Sequence, residues 1–313
     1  MIKRTLHFGN PVYLSLKNEQ LVVTYPTATE KIPVAQRLKI EATTNQRKVA
    51  IEDLGVIILE NSQVTVTTAL LEKLTYNNVA VITCDSKHMP IGLLQPLEGH
   101  TEQSERFKYQ VNATVPLKKN LWQQTIQAKI NNQANHLKER GIVEVKNMKY
   151  WAQQVTSGDI KNHEARAAAY YWKNLFPINN FTRGRAGMPP NNLLNYGYAI
   201  LRAVTARSLV GSGLFPTFGI HHHNKYNAYC LADDIMEPYR PYVDVIVAHL
   251  VDNLDDLSEL TLELKTHLLQ IPAMDVIIDG KKSPLLVAMS RTTHSLYECY
   301  AGISRKLIYP TYA

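Results

Sequence analysis

The chain has 313 residues, 45% hydrophobic and 19% charged, a balance that excludes a disordered polypeptide and allows one large domain or two modest ones. A formal net charge of +7 favours an anionic partner such as nucleic acid, although a basic enzyme without a polyanionic ligand fits it as well. Cys84, Cys230 and Cys299 lack any CxxC spacing, which argues against a disulfide framework or a thiolate zinc site and for free thiols in a reducing cytoplasm. The opening residues show no signal peptide, and the apolar runs fall well short of the roughly 20 residues that cross a bilayer, so no membrane partner is expected.

The first hundred residues read as strands. Residues 4–8, 12–16 and 21–25 are short and rich in β-formers, and residues 17–20 carry Asn18, which suits a hairpin turn. Further strands are predicted at 31–34 and 55–59. Residues 64–67 then lead into a short helix over 68–75 with Thr67 or Thr68 as its N-cap. Residues 79–84 form another apolar strand, ended by Asp85-Ser86. The segment PLEGHT, residues 96–101, reads as a linker, and helix formers dominate beyond it. Amphipathic stretches cover 118–140, 160–175, 192–208, 243–251, 254–269 and 284–306, with Gly141 placed to end the first of them. The predicted fold class is α+β: a β-rich N-terminal domain over residues 1–96, then a larger all-α C-terminal domain over residues 97–313.

The densest chemistry lies in FGIHHHNKYNAYCLADDIMEPYRPYVD, residues 218–244. If the segment from Leu231 onward is helical, Asp234 and Glu237 are three apart and Asp233 and Glu237 four apart, so each pair shares a face. Crowded carboxylates repel unless a cation joins them or they point into water, and Arg240 stands three residues beyond Glu237. One reading is a hard divalent metal held by Glu237 and one of the three histidines, since Mg²⁺ prefers oxygen and Mn²⁺ also accepts imidazole nitrogen. The other is a solvated acidic helix start that complements the helix dipole with no ligand. A zinc site is disfavoured, because adjacent histidines point different ways.

A second segment, IKNHEARAAAYYW, sets Glu164 in an Ala- and aromatic-rich helix, where a carboxylate is either paired, metal-bound or turned to water. A third, NFTRGRAGMPPNNLLN, offers Arg183 and Arg185 around a glycine in a Gly/Pro-rich loop able to mould to phosphates, or an exposed loop with incidental arginines. Tyr196 and Tyr198 beside it are candidates to stack on unpaired bases. Ser290, Arg291 and His294 form a weaker phosphate-facing set.

The segment GIHHHNKYNAYCLADDIMEPYRPYVD resembles the metal-binding core of the CRISPR-associated spacer integrases, the Cas one family. NHEARAAAYYW resembles that family's first catalytic segment, and NNLLNYGYAILR its Asn-x-Leu-Leu-x-Tyr-Gly-Tyr helix. IKRTLHFGNPVYLSLKNEQLVV, IEDLGVIILEN and VAVITCDSKHMPIGLL resemble its β-domain in versions found beside a Cas nine effector, the type II systems. The resemblance implies that Glu164, His222 and Glu237 are metal ligands and catalytic residues. Asp234 is then an auxiliary ligand or a supporting group, His221 and His223 are neighbours, and Arg183, Arg185, Arg240 and Tyr196 are candidate DNA contacts. It further implies a Mg²⁺ or Mn²⁺ cofactor and a homodimer built through the N-terminal domain. The implied partners are prespacer and CRISPR-repeat DNA, the small Cas two protein and, in some systems, the effector nuclease. The implied activity is that of a cytoplasmic DNA endonuclease and integrase that inserts spacers by 3′-hydroxyl attack on repeat phosphodiesters. Two alternatives stay open from sequence: a metal-dependent repair nuclease without integrase activity, and a non-catalytic DNA-binding scaffold.

Overall fold

The computed structural model describes residues 3–26, 46–142, 144–184 and 186–312. The chain divides into two compact units, Met1–Pro96 and Leu97–Ala313.

The first unit runs β1 (Arg4–Phe8), β2 (Tyr13–Lys17), β3 (Gln20–Thr24), β4 (Gln46–Ala50), β5 (Leu54–Leu59), β6 (Thr65–Val66), α1 (Thr68–Tyr76), β7 (Ala80–Cys84) and β8 (Pro90–Leu94). Two four-stranded sheets result, ordered β1-β5-β7-β8 and β4-β3-β2-β6. In the first, β5 pairs in parallel with both β1 and β7. Its sequence LGVIIL is apolar almost without interruption, as a strand covered on both faces requires, and its first five residues are buried. In the second, Lys17 pairs with Gln20, leaving Asn18 and Glu19 as a two-residue turn with φ of 49° and 59°. Positive φ at both positions matches the twist of the flanking strands, and Asn adopts it at low cost. Thr67 caps α1 by accepting from the Leu70 amide at 3.4 Å. Leu14, Leu21, Leu54, Ile57, Leu70 and Leu74 form the core of this unit. The strand expected at 31–34 lies outside the described residues.

The second unit contains α2 (Gln103–Val111), α3 (Val115–Glu139), α4 (Lys146–Gln154), α5 (His163–Leu175), α6 (Asn191–Gly211), α7 (Cys230–Ile235), α8 (Arg240–Asn253) and α9 (Leu262–Leu268), then β9 (Asp275–Ile278), β10 (Lys281–Pro284) and α10 (Leu285–Tyr300). Helix α3 packs against α4, α5 and α8, while α6 packs against α7, α8, α9 and α10. Thr114 caps α3 at its start, and Gly141, at φ +83°, follows its end in a conformation that β-carbons disfavour. Gly197 lets α6 approach α8 closely, since a β-carbon there would stand 2.5 Å from Val243 Cγ1. Among the described residues, no helix is long and apolar enough to cross a membrane.

Three expectations for this unit change. It is not all-α, because β9 and β10 form an antiparallel hairpin. Its turn is Asp279-Gly280, both at positive φ, an Asp-Gly pair that favours a tight reversal. Residues 254–261 are not helical: Leu254 ends α8 in extended backbone, the Asp256 carboxylate accepts from the Ser258 amide, and Thr261 caps a new, short α9. The last helix stops at Tyr300 rather than 306.

Candidate functional site

Glu164 stands in the first turn of α5. Asn162 caps that helix by accepting from the Ala165 amide, and the Asp159 carboxylate accepts from the amides of His163 (3.0 Å) and Glu164 (2.9 Å). The helix start is thereby pinned and Glu164 held in one place.

The histidine loop is organised around Asp234 on α7. This fully buried carboxylate accepts from the His221 amide at 2.9 Å and the His222 amide at 3.3 Å, and its Oδ1 also bonds His222 Nδ1. Gly219 makes room for this, since a β-carbon there would lie 2.4 Å from the His222 carbonyl oxygen and 2.8 Å from Asp234 Oδ2. The Asp234 contact raises the His222 pKa against the opposing effect of burial. With Nδ1 so engaged, the ring is fixed in orientation and Nε2 is its other nitrogen, the one not bonded to Asp234. His221 stacks flat on Trp122 of α3 at 4.1 Å between ring centroids, and His223 is exposed.

The helix predicted to carry the acidic pairs is broken. Helix α7 ends at Ile235, Glu237-Pro238-Tyr239 forms a tight turn, and α8 begins at Arg240. The acidic side chains accordingly serve different partners. Asp233 binds Arg202 (2.6 Å) and Asn227 (2.7 Å), Asp234 holds the histidine loop, and Glu237 points toward α3.

There it meets Lys129. The Lys129 ammonium lies 2.6 Å from Glu164 Oε1 and 2.6 Å from Glu237 Oε2, while Arg240 Nε donates to Glu237 Oε1 at 2.8 Å. Burial works to raise the Glu237 pKa, but Arg240 and Lys129 outweigh it and hold the carboxyl at about 2. The Lys129 pKa is raised as well: burial opposes the charge and is overcome by Glu237 and Glu164. Nothing in the motifs singled out Lys129. The available signal was its place on the stripe Trp122, Ile126, Lys129, Gln133 and His136, whose other members are apolar, amide or imidazole and which is buried throughout.

The structure therefore brings Glu164 and Glu237 together around one cation, with His222, held by Asp234, near enough for both carboxylates to raise its pKa. Among the described residues, no three His, Cys, Asp or Glu side chains stand close enough to share one ion, and the Lys129 ammonium occupies the space between the two carboxylates. The donors nevertheless suit a hard divalent metal. Glu237 Oε2 is buried with a positive charge beside it but receives no well-directed hydrogen bond, and the imidazole is backed by a carboxylate on its other nitrogen.

The candidate DNA contacts fare differently. The Arg183 guanidinium donates to the Gly184 carbonyl and to the side chains of Asn191 (3.0 Å) and Asn195 (2.8 Å), bracing its own loop. Arg185 lies outside the described residues. Arg240 is engaged with Glu237 and lies over the Tyr198 ring at 4.5 Å. Tyr196 is a correction: it is fully buried in α6 and cannot stack on a base, and Tyr198 is buried too. Arg291 pairs with Asp279 at the hairpin turn. The open surface beside His222 is instead a pocket of about 550 Å³ whose walls include Lys118, Phe218, His223, Lys225 and Tyr226. Phe218 and Tyr226 are exposed, giving cationic and aromatic surface at the site's mouth.

Beneath the site lies a buried polar chain. The hydroxyls of Tyr198 (2.5 Å) and Tyr171 (2.9 Å) donate to Asp244, and Tyr171 also meets His136 Nδ1 at 2.8 Å. Burial raises the Asp244 pKa to about 7 even though both tyrosine hydrogen bonds and Arg240 lower it.

Comparison with known proteins places the chain in one family. The family model for CRISPR associated protein Cas1 matches residues 8–259. The CRISPR-associated endonuclease Cas1 of Neisseria meningitidis serogroup C (strain 8013) is 36% identical over 272 residues, covering 87% of this chain and 88% of that protein. Among solved structures, a casposase bound to integration product has a TM-score of 0.74 at 19% identity, over 98% of this chain and 92% of that one. A Cas6-RT-Cas1–Cas2 complex has a TM-score of 0.69 at 18% identity, over 98% of this chain and 36% of that one. By sequence and by fold, the chain belongs to the Cas1 family.

Proposed function

We propose that this protein is a divalent-metal-dependent DNA endonuclease and integrase that inserts spacer DNA into a CRISPR array. The observation that carries the reading is the meeting of Glu164 and Glu237, from separate elements, around one cation beside a carboxylate-backed His222. A basic chain with cationic and aromatic surface at the site's mouth supports a DNA substrate. The endonuclease relative, the casposase bound to integration product and the complex containing Cas2 support the same substrate and a Cas2 partner. A homodimer, and in some systems an effector nuclease, complete the assembly we propose.

In the joining reaction a DNA 3′-hydroxyl attacks a repeat phosphorus, a new P–O bond forms, and the bond to the leaving 3′-oxygen breaks. With water in place of the hydroxyl, the same displacement is hydrolysis. Glu164, His222 and Glu237 would hold Mg²⁺ or Mn²⁺, which when bound supplies Lewis-acid stabilisation of charge on the phosphate and leaving oxygens. The chain's own residues fix the geometry. Asp234 orients His222, Asp159 anchors the helix start that carries Glu164, and Arg240 secures Glu237 through Oε1. Lys225, Lys118, Tyr226 and Phe218 would hold the approaching strand by charge and stacking.

The test is strand transfer of a short duplex with 3′-hydroxyl ends into a repeat-containing plasmid, in Mn²⁺ or in chelator, with wild type and with Glu164→Ala, His222→Ala and Glu237→Ala. Product is expected only from wild type with metal. Product that persists in chelator or in all three variants rejects the mechanism. Cutting without joining identifies a repair nuclease instead.

A further inference from the structure

We infer that Lys129 is a tethered cation that keeps Glu164 and Glu237 assembled when no metal is bound and competes with the divalent ion for them, so that it sets how tightly the ion is held. The inference rests on the metal reading above and goes beyond it, because Lys129 is not a ligand.

Lys129 comes from the middle of α3, Glu164 from the start of α5, and Glu237 from the turn between α7 and α8. None of these elements fixes the others' side chains locally. One ammonium spans the gap, 2.6 Å from an oxygen of each carboxylate. The lysine is 8% exposed and Glu237 5%, so water screens this contact poorly. Two carboxylates forced together without a cation would repel, and one would take up a proton. The ammonium removes that conflict and leaves the site close to neutral, with Asp234, Glu164 and Glu237 facing Lys129, Arg240 and the His222 ring.

A divalent ion entering such a site meets a cation already in its place. The two cannot both sit between the same oxygens, since their repulsion in a poorly screened site exceeds what either gains. Lysine suits a part that must yield. Its charge is compact and rides on a flexible four-carbon stem, whereas arginine would lock both carboxylates with a rigid fork. The metal's apparent affinity is therefore reduced by the work of displacing Lys129, and removing the lysine should make binding tighter. A merely structural lysine predicts the opposite, because its loss would disorder the ligands.

The experiment is Mn²⁺ binding to the full chain without DNA, followed by electron paramagnetic resonance of free Mn²⁺, with thermal unfolding in parallel. Lys129→Met should bind Mn²⁺ about tenfold or more tightly than wild type. It should unfold at lower temperature without metal and gain more from Mn²⁺. The tightened binding should vanish in Lys129→Met combined with His222→Ala. If Lys129→Met does not fold without metal, Lys129→Gln carries the same expectation, since its amide can still bond a carboxylate. Mn²⁺ affinity equal to or weaker than wild type in the folded variant overturns the inference. If His222→Ala and Glu237→Ala lose wild-type binding but Lys129→Met does not tighten it, the inference alone falls. If neither alanine variant alters wild-type binding, the metal reading falls and the inference goes with it.

Discussion

Among the described residues, the strand-rich unit buries one charged side chain, Glu60, and satisfies it with His7 and His88. The helical unit buries nine, Arg106, Lys129, Asp159, Arg207, Asp233, Asp234, Glu237, Asp244 and Lys265; of these Lys129, Asp159, Asp234 and Glu237 build the site and Asp244 lies beneath it. Taking a charge from water costs several kcal/mol, and removing one member of a buried pair costs about 3–5 kcal/mol. The first unit thus reads as an ordinary aliphatic core. The second accepts an electrostatic penalty to hold carboxylates, imidazole and cations at fixed positions. The difference places most of the buried charge in the unit that holds the site.

The contrast can be broken at several points. Glu237→Ala leaves the buried Lys129 and the half-buried Arg240 without their shared partner. It should cost about 3–5 kcal/mol of stability and take strand transfer below detection, a loss of about 10²–10³-fold or more, read by urea unfolding and the plasmid assay. A loss of activity with unchanged stability would show that the cluster is not energetically coupled.

Asp244 should give the helical unit its own pH dependence. Its folded pKa, about 7, exceeds the ordinary carboxyl value of 3.8, so between those values the folded state keeps a proton that the unfolded state has lost. The resulting stability is complete below pH 3.8 and drains away as pH rises to 7, by at most about 4 kcal/mol. Asp244→Asn stays neutral and should flatten that decline when unfolding free energies are compared at several pH values. Parallel curves for the two proteins would refute the coupling.

In the strand-rich unit, Ile57→Ala should cost about 2–5 kcal/mol through an aliphatic cavity. The surviving folded protein should retain its metal binding, measured by Mn²⁺ titration below the unfolding transition. Asp234→Asn is expected to be a smaller change, keeping the loop's shape but weakening the hold on the imidazole. Metal affinity or strand transfer should fall about 10–100-fold. Retention of both would show that the His222 ring needs no carboxylate behind it.

How much of this was legible in the sequence follows the same division. Strands β1, β5 and β7, the Asn18 turn and helices α3, α5 and α6 could be read because their signals are local: apolar runs, caps, and turn residues at positive φ. The resemblance pointed to Glu164, His222 and Glu237 as a set, since their residue types stand in recognisable segments. Lys129 was not legible, because whether a lysine on a helix is buried depends on carboxylates supplied by two distant segments. Tyr196 misled for a related reason: α6 is enclosed by α7, α8, α9 and α10, so a tyrosine beside a polar loop still points into protein. Residues 254–261 carried helical spacing but also Asp256, whose carboxylate takes the Ser258 amide in a local turn that competes with helix.

The most direct measurement is anomalous diffraction at the manganese edge from crystals soaked in Mn²⁺. A single strong peak is expected within coordination distance of Glu164, His222 and Glu237, with the Lys129 ammonium withdrawn from between the carboxylates. A peak bound only elsewhere, such as at Asp233, or no peak at Mn²⁺ concentrations that support DNA joining, would contradict the shared-ion site.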